Sequence, residues 1–147
     1  MKNSFFLFVI SFFLFISISF SQETMEKNYA TFGEFLSEQN KNISLIENGL
    51  TLEKTKEIMG PSLLVKVPKI GKMKVLSKLF KQPEHNDKYV QNPEKKVIIL
   101  WYFTTPKDQN GIITKSECTP ILFEKGLVKG KGWKFYISYK RANRLLR

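Results

Sequence analysis

Apolar and polar positions along this chain repeat with two different periods. Between Glu26 and Gln39 the apolar residues Tyr29, Phe32, Phe35 and Leu36 recur every three or four positions, with Glu34 and Glu38 between them. That spacing predicts one amphipathic helix. A second helical stretch is expected from near Ile43, and a better-marked one begins at Thr51. There Thr51 can accept a backbone N–H as N-cap, Glu53 suits the positive end of the helix, and Leu52, Thr55, Ile58 and Met59 supply one face. Gly60-Pro61 stops it, because glycine takes the left-handed cap conformation and the proline ring cannot continue the helix.

Further along, the period shortens to two. Leu63 to Val67 reads as a short strand and Met73 to Phe80 as a strand or a helix, both interrupted by lysines. The turn formers Gln82-Pro83, Asn86-Asp87 and Asn92-Pro93 make 82–94 a loop. From Lys96 to Thr104, Val97, Ile99, Trp101 and Phe103 point one way while Ile98, Leu100 and Tyr102 point the other. A strand apolar on both faces is central and covered on both. Asp108 to Gly111 turns the chain, and Glu117 to Glu124 forms the next strand, with Pro120 placing that end at an edge or irregularity. Lys125-Gly126 is a tight reversal. The chain then climbs through Gly130 and Gly132. Beyond them Trp133, Phe135, Ile137 and Tyr139 alternate with Lys134, Tyr136, Ser138 and Lys140, which predicts a strand with one core face. A short tail helix over 139–147 would use Leu145 and Leu146. Helices first and an antiparallel meander afterwards give an α+β fold with helices packed on one face of the sheet.

The first residues carry a different signal. Lys2 precedes an uncharged run from Phe5 to Phe20, and Ser19-Phe20-Ser21 places small side chains where a peptidase pocket needs them. This is the pattern of a secretory signal peptide, with cleavage expected after Ser21. A retained anchor is the competing reading, but the run is 16 residues long, short of the roughly 20 that span a bilayer core. No Cys lies near the cut to accept a lipid. The chain therefore reads as a leader over 1–21 and one α+β domain over 22–147, exported to the periplasm or cell envelope without lipidation.

Composition narrows the function further. One Cys and one His in 147 residues cannot make a disulfide framework or an all-protein zinc site. Charge is divided along the mature chain, at −4 over residues 22–53 and +14 over residues 54–147, which points to a polyanionic surface as partner. The cations that would meet it are Lys72, Lys74, Lys78, Lys81, Lys131, Lys134, Lys140, Arg141, Arg144 and Arg147. Nucleic acid also answers to such charge, but an exported chain seldom meets it.

The string Ile46-Glu47-Asn48-Gly49-Leu50-Thr51, followed by Glu53 and ending in Ile58-Met59-Gly60-Pro61, resembles the helix-turn signature of the BamE (SmpA/OmlA) family of small envelope proteins. Trp101-Tyr102 and the hairpin from Thr119 to Val128, followed by Gly130 and Gly132-Trp133, are similar to that family's strands. The resemblance spans about residues 43 to 139. It implies two N-terminal helices packed on one face of a three- or four-stranded antiparallel sheet and a non-enzymatic role in assembly or maintenance of the outer membrane. Gly49, Thr51, Gly60, Pro61, Trp101, Gly126 and Trp133 enter it as fold determinants rather than binding residues. The chain departs from the pattern in lacking a lipid-bearing Cys and in carrying a basic insertion at about 62–94.

Catalytic chemistry finds little support. His85 sits between Glu84 and Asp87, too close along the chain to aim three ligands at one point. Ser44, Ser62 and Ser116 have no second His to activate them. Gly126, Gly130 and Gly132 belong to a hairpin rather than to a phosphate loop. The expectation is a non-catalytic envelope module without a cofactor, binding a protein partner. A peripheral binder of anionic membrane or polymer is the alternative, and a small secreted enzyme inhibitor working through aromatic contacts is a third. Intact-mass measurement of the purified protein is expected to give a chain starting at Gln22 with no acyl group; a mass that includes Met1 or a lipid overturns the leader assignment.

Overall fold

The run Val97-Ile98-Ile99-Leu100-Trp101-Tyr102-Phe103 organises the molecule, because its alternating side chains need apolar cover on both sides of one strand. The structure, a computed structural model, describes residues 24–68, 75–92, 95–107 and 112–143. The expected leader, the turn at Asp108 to Gly111 and the end of the tail lie outside the described residues. In order, the elements are β1 (Thr24–Asn28), α1 (Phe32–Ser44), α2 (Leu52–Met59), β2 (Ser62–Pro68), β3 (Val75–Phe80), β4 (His85–Asn92), β5 (Lys95–Phe103), β6 (Cys118–Glu124), β7 (Leu127–Lys131) and α3 (Trp133–Ala142). A 3-10 turn over Lys115–Glu117 precedes β6. The fold is α+β, with one sheet ordered β1-β2-β3 and another ordered β4-β5-β6-β7. All pairings are antiparallel except that of β1 with β2.

Strand β5 lies between β4 and β6 with both faces covered. On one face Val97, Ile99, Trp101 and Phe103 join Leu122, Tyr29, Phe35, Phe80 and Tyr136. On the other, Leu100 and Tyr102 join Ile121, Phe123, Val128, Ile43, Ile46 and Met59. Phe103 ends the strand among Phe32, Phe35 and Phe80, at ring separations from 5.1 to 6.4 Å. Thus α1 serves both cores, by Phe35 near its start and Ile43 in its last turn.

Among the described residues the strands form two sheets rather than the expected one, with three helices interleaved among them, and the helical stretch expected from near Ile43 is the last turn of α1. Three further expectations need correction. The predicted helix from Glu26 begins only at Phe32, and β1 occupies the residues before it. A reciprocal cap sets the start: the Thr31 hydroxyl accepts the Glu34 N–H at 3.2 Å, and the Glu34 carboxylate accepts the Ala30 N–H at 2.9 Å. Glu26 and Lys27 are instead paired across the strand edge, with Lys66 at 2.7 Å and Glu38 at 2.6 Å. Second, 82–94 is largely strand rather than loop, since β4 forms the edge of its sheet. The ladder to β5 is made by backbone groups and tolerates Asn86-Asp87 within it. His85, Asp87 and Tyr89 are half-buried while Asn86, Lys88 and Val90 are exposed.

Third, the predicted strand over Trp133 to Tyr139 is helix α3. Aromatic residues are so dense there that both periods fit the sequence. Gly132 decides, at a φ of 85°: its N–H ends the ladder on Pro120 O at 2.8 Å and its carbonyl takes the Tyr136 N–H at 3.0 Å. The Phe135 ring then lies against Gly130, where a Cβ would come within 2.6 Å of it.

Thr51 caps α2, its hydroxyl taking the Lys54 N–H at 3.1 Å, and Gly60 ends α2 at a φ of 77° before Pro61. Gly49 N–H donates to Val128 O, Val128 N–H to Leu50 O and Leu52 N–H to Gly126 O, at 2.8 to 3.0 Å, so the α1–α2 link is stitched to the β6–β7 hairpin. Lys125 and Gly126 turn that hairpin at φ of 53° and 79°, as a reversal matched to strand twist requires. Pro120 turns its carbonyl, and with it the missing N–H, to the side where β7 has ended.

Lys131 closes the joint between helix and sheet. Its ammonium donates to the carbonyls of Ile43, Ser44 and Ile46 at 2.7, 2.9 and 2.6 Å, satisfying orphan acceptors at the negative end of α1. In urea unfolding, Lys131→Met is expected to cost about 2 kcal/mol through the loss of charge-assisted bonds. Exposed Lys134→Met should stay within about 0.5 kcal/mol; equal effects of the two would refute the capping role.

Candidate functional site

The expected cationic face divides when placed on the fold. Lys72, Lys74, Arg144 and Arg147 lie outside the described residues. Lys78 stands on β3 with its ammonium 5.5 Å from the Phe80 ring centroid. Lys81 is exposed in the following turn, where its backbone N–H donates to Glu84 at 2.8 Å. Lys131 is engaged at the end of α1 and is no surface contact. Lys134, Lys140 and Arg141 come together on α3, a helix whose sequence contains no acid. Lys140 leans over the Tyr136 ring at 5.6 Å. Lys134, Ile137, Ser138 and Arg141 are all exposed and spaced to form one outward stripe.

Trp133, expected in a core strand, opens α3 and is 39% exposed. Its indole is nevertheless fixed. The ring N–H donates to Cys118 O at 2.9 Å, and the ring packs against Trp101 at 5.3 Å and edge-on against Tyr136 at 5.6 Å. Beside it lies a hollow of about 370 Å³ lined by Thr104, Thr105, Lys107, Ser116, Cys118, Thr119 and Trp133. Apart from Trp133, this group escaped sequence reasoning, because its members come from the end of β5, the 3-10 turn and the start of β6. The one signal in the sequence is the density of Ser and Thr at 104–105 and 114–119.

Glu117, buried behind that hollow's lining, ties its segments together. Its buried carboxylate accepts the Lys107 N–H at 3.1 Å and, from Thr114, the N–H at 2.9 Å and the hydroxyl at 3.1 Å. Its backbone carbonyl accepts the N–H groups of Thr104 and Thr105, each at 3.1 Å. The Thr104 and Thr119 hydroxyls are 2.7 Å apart, joining β5 to β6. Cys118 forms part of the floor, its thiol donating weakly to Thr114 O at 3.4 Å.

The chain neighbours of His85 serve separate purposes. His85 Nε2 donates to Ile113 O at 3.0 Å. Asp87 accepts the Trp101 indole N–H at 2.9 Å and the Lys115 ammonium at 2.6 Å. Burial raises the pKa of Glu84, and its carboxylate is taken by the Lys81 N–H. Ser44 donates to Lys41 O, Ser62 accepts from Gln82 N–H, and Ser116 pairs with Thr114. Among the described residues no three His, Cys, Asp or Glu side chains converge to hold a metal ion, and no helix there is long and apolar enough to cross a membrane.

Burial pushes the Cys118 thiol up to about 12 from 9.0, with Glu84 and Glu117 acting in the same direction. The folded state thus keeps a proton that the unfolded chain releases, so stability is full below pH 9 and falls as pH rises from there toward 12. In the native protein Cys118 should resist a thiol reagent at pH 8 and react at once in denaturant. Equal rates in both states would contradict its burial.

Comparison with curated proteins and with solved structures returns no match in either set. Residues 17–138 match the model of a family described as a protein of unknown function, DUF3192. That match takes in most of the chain, from β1 through β7 and into α3, and the protein belongs to the DUF3192 family.

Proposed function

We propose that the protein is a non-catalytic module exported to the cell envelope, docking on an anionic membrane surface by the outer stripe of α3. The observation that carries this reading is the stripe itself: Lys134, Ile137 and Arg141 exposed on a helix without an acid, next to a half-exposed indole. Lysine and arginine beside an acidic leaflet contribute about 1 kcal/mol each. Ile137 and Trp133 add apolar contact at the depth of the headgroups, where indoles concentrate. The +14 charge of residues 54–147 adds attraction at longer range.

The second reading is the BamE-like one, in which two helices layer on an antiparallel sheet and the module supports outer-membrane assembly or maintenance through a protein partner. Its support is the way the Gly49-Leu50-Thr51 turn and capped α2 are stitched to the hairpin at Gly126 and Val128. That stitching gives a physical reason for the resembling string to recur.

Flotation with phosphatidylcholine vesicles, with and without phosphatidylglycerol, separates the two. Binding is expected only with the anionic lipid and to be lost at high salt. Lys134→Ala with Arg141→Ala should lower it roughly 30-fold, at about 1 kcal/mol per charge. Absence of binding at low salt, or binding indifferent to lipid charge, removes the membrane reading and leaves the protein-partner one.

A further inference from the structure

We propose that the hollow beside Trp133 is a binding site for a pyranose sugar unit. This goes beyond the docking reading and does not depend on it. A volume of about 370 Å³ falls within the roughly 300–1,000 Å³ of small-molecule sites. One wall is an indole, partly wet yet held by a hydrogen bond and two ring contacts. A fixed aromatic face presents a flat apolar surface at little entropic cost, matching the C–H face of a sugar ring.

The other walls carry hydroxyls. Each hydroxyl brings one donor and two acceptor lone pairs, so the Thr104–Thr119 bond consumes only one of that pair's two O–H donors. Thr105 and Ser116 are exposed at the rim, and the Lys107 ammonium adds donors. Groups able to donate or accept suit a ligand whose own hydroxyls do the same.

Charge argues for a neutral ring over a simple anion. The Glu117 carboxylate is buried within hydrogen-bond reach of the backbone of Lys107, a residue that lines the hollow, so an anion entering there would meet a negative charge already held close by. The neighbouring Asp87 and Lys115 neutralise each other at 2.6 Å. Selection in this hollow therefore falls to stacking and hydroxyl pairing.

The test follows the two indole N–H signals of the ¹⁵N-labelled mature chain by NMR during titration with methyl β-glucopyranoside and with N-acetylglucosamine. Sorbitol serves as an open-chain polyol without a ring face, and inorganic phosphate as the anion control. Trp133, 39% exposed, should shift saturably with at least one pyranose, and Trp101, 1% exposed, far less. Sorbitol and phosphate should produce no such shift. Thr105→Val and Ser116→Ala should each weaken binding about 2- to 10-fold, as loss of one hydrogen bond does. The α3 variant Lys134→Ala with Arg141→Ala should leave sugar binding unchanged while altering vesicle binding. No saturable Trp133 shift with either pyranose, or an equal response to sorbitol or phosphate, overturns the proposal.

Discussion

A strand that buries both of its faces imposes a debt on the rest of the chain, and β5 is such a strand. Val97, Ile99, Trp101 and Phe103 are covered by Leu122, the aromatic end of α1 and Tyr136 of α3. Leu100 and Tyr102 are covered by Ile121, Phe123 and residues of α1 and α2. Because side chains alternate along a strand, the two covers must lie on opposite sides of it. Helix α1 therefore reaches both cores, and α3 follows the sheet in sequence but packs back on Trp101.

Holding these covers in place falls to backbone and cation contacts more than to further apolar area. The link between α1 and α2 is bonded to the β6–β7 hairpin at Gly49, Leu50 and Leu52. Lys131 reaches from β7 into the carbonyls ending α1. Charges that looked available for an outside partner therefore divide by geometry: Lys131 is internal machinery, whereas Lys134 and Arg141 remain turned outward on α3.

The same packing produces the hollow. Trp101 needs a ring partner on its own face, and Trp133 supplies one while its N–H reaches Cys118 O. That leaves the indole lining the hollow together with Thr104 and Thr105, whose N–H groups both donate to the Glu117 backbone carbonyl. A core requirement and the lining of the hollow thus share one residue.

The sequence by itself determined what rests on short-range rules. The capped helix from Thr51 to Gly60, the reversal at Lys125-Gly126 and the two-faced strand around Trp101 were legible because caps, positive φ and alternation are written within a few residues. Tertiary structure decided where local signals tied or were silent. Trp133 to Tyr139 satisfied both periods, and the turn at Gly132, the room above Gly130 and the reach of Tyr136 to Trp101 selected a helix. Strand β4 has little pattern of its own and exists through backbone bonds to β5. The hollow was invisible because Thr104, Ser116 and Trp133 lie far apart along the chain, and a buried carboxylate, Glu117, brings its walls together.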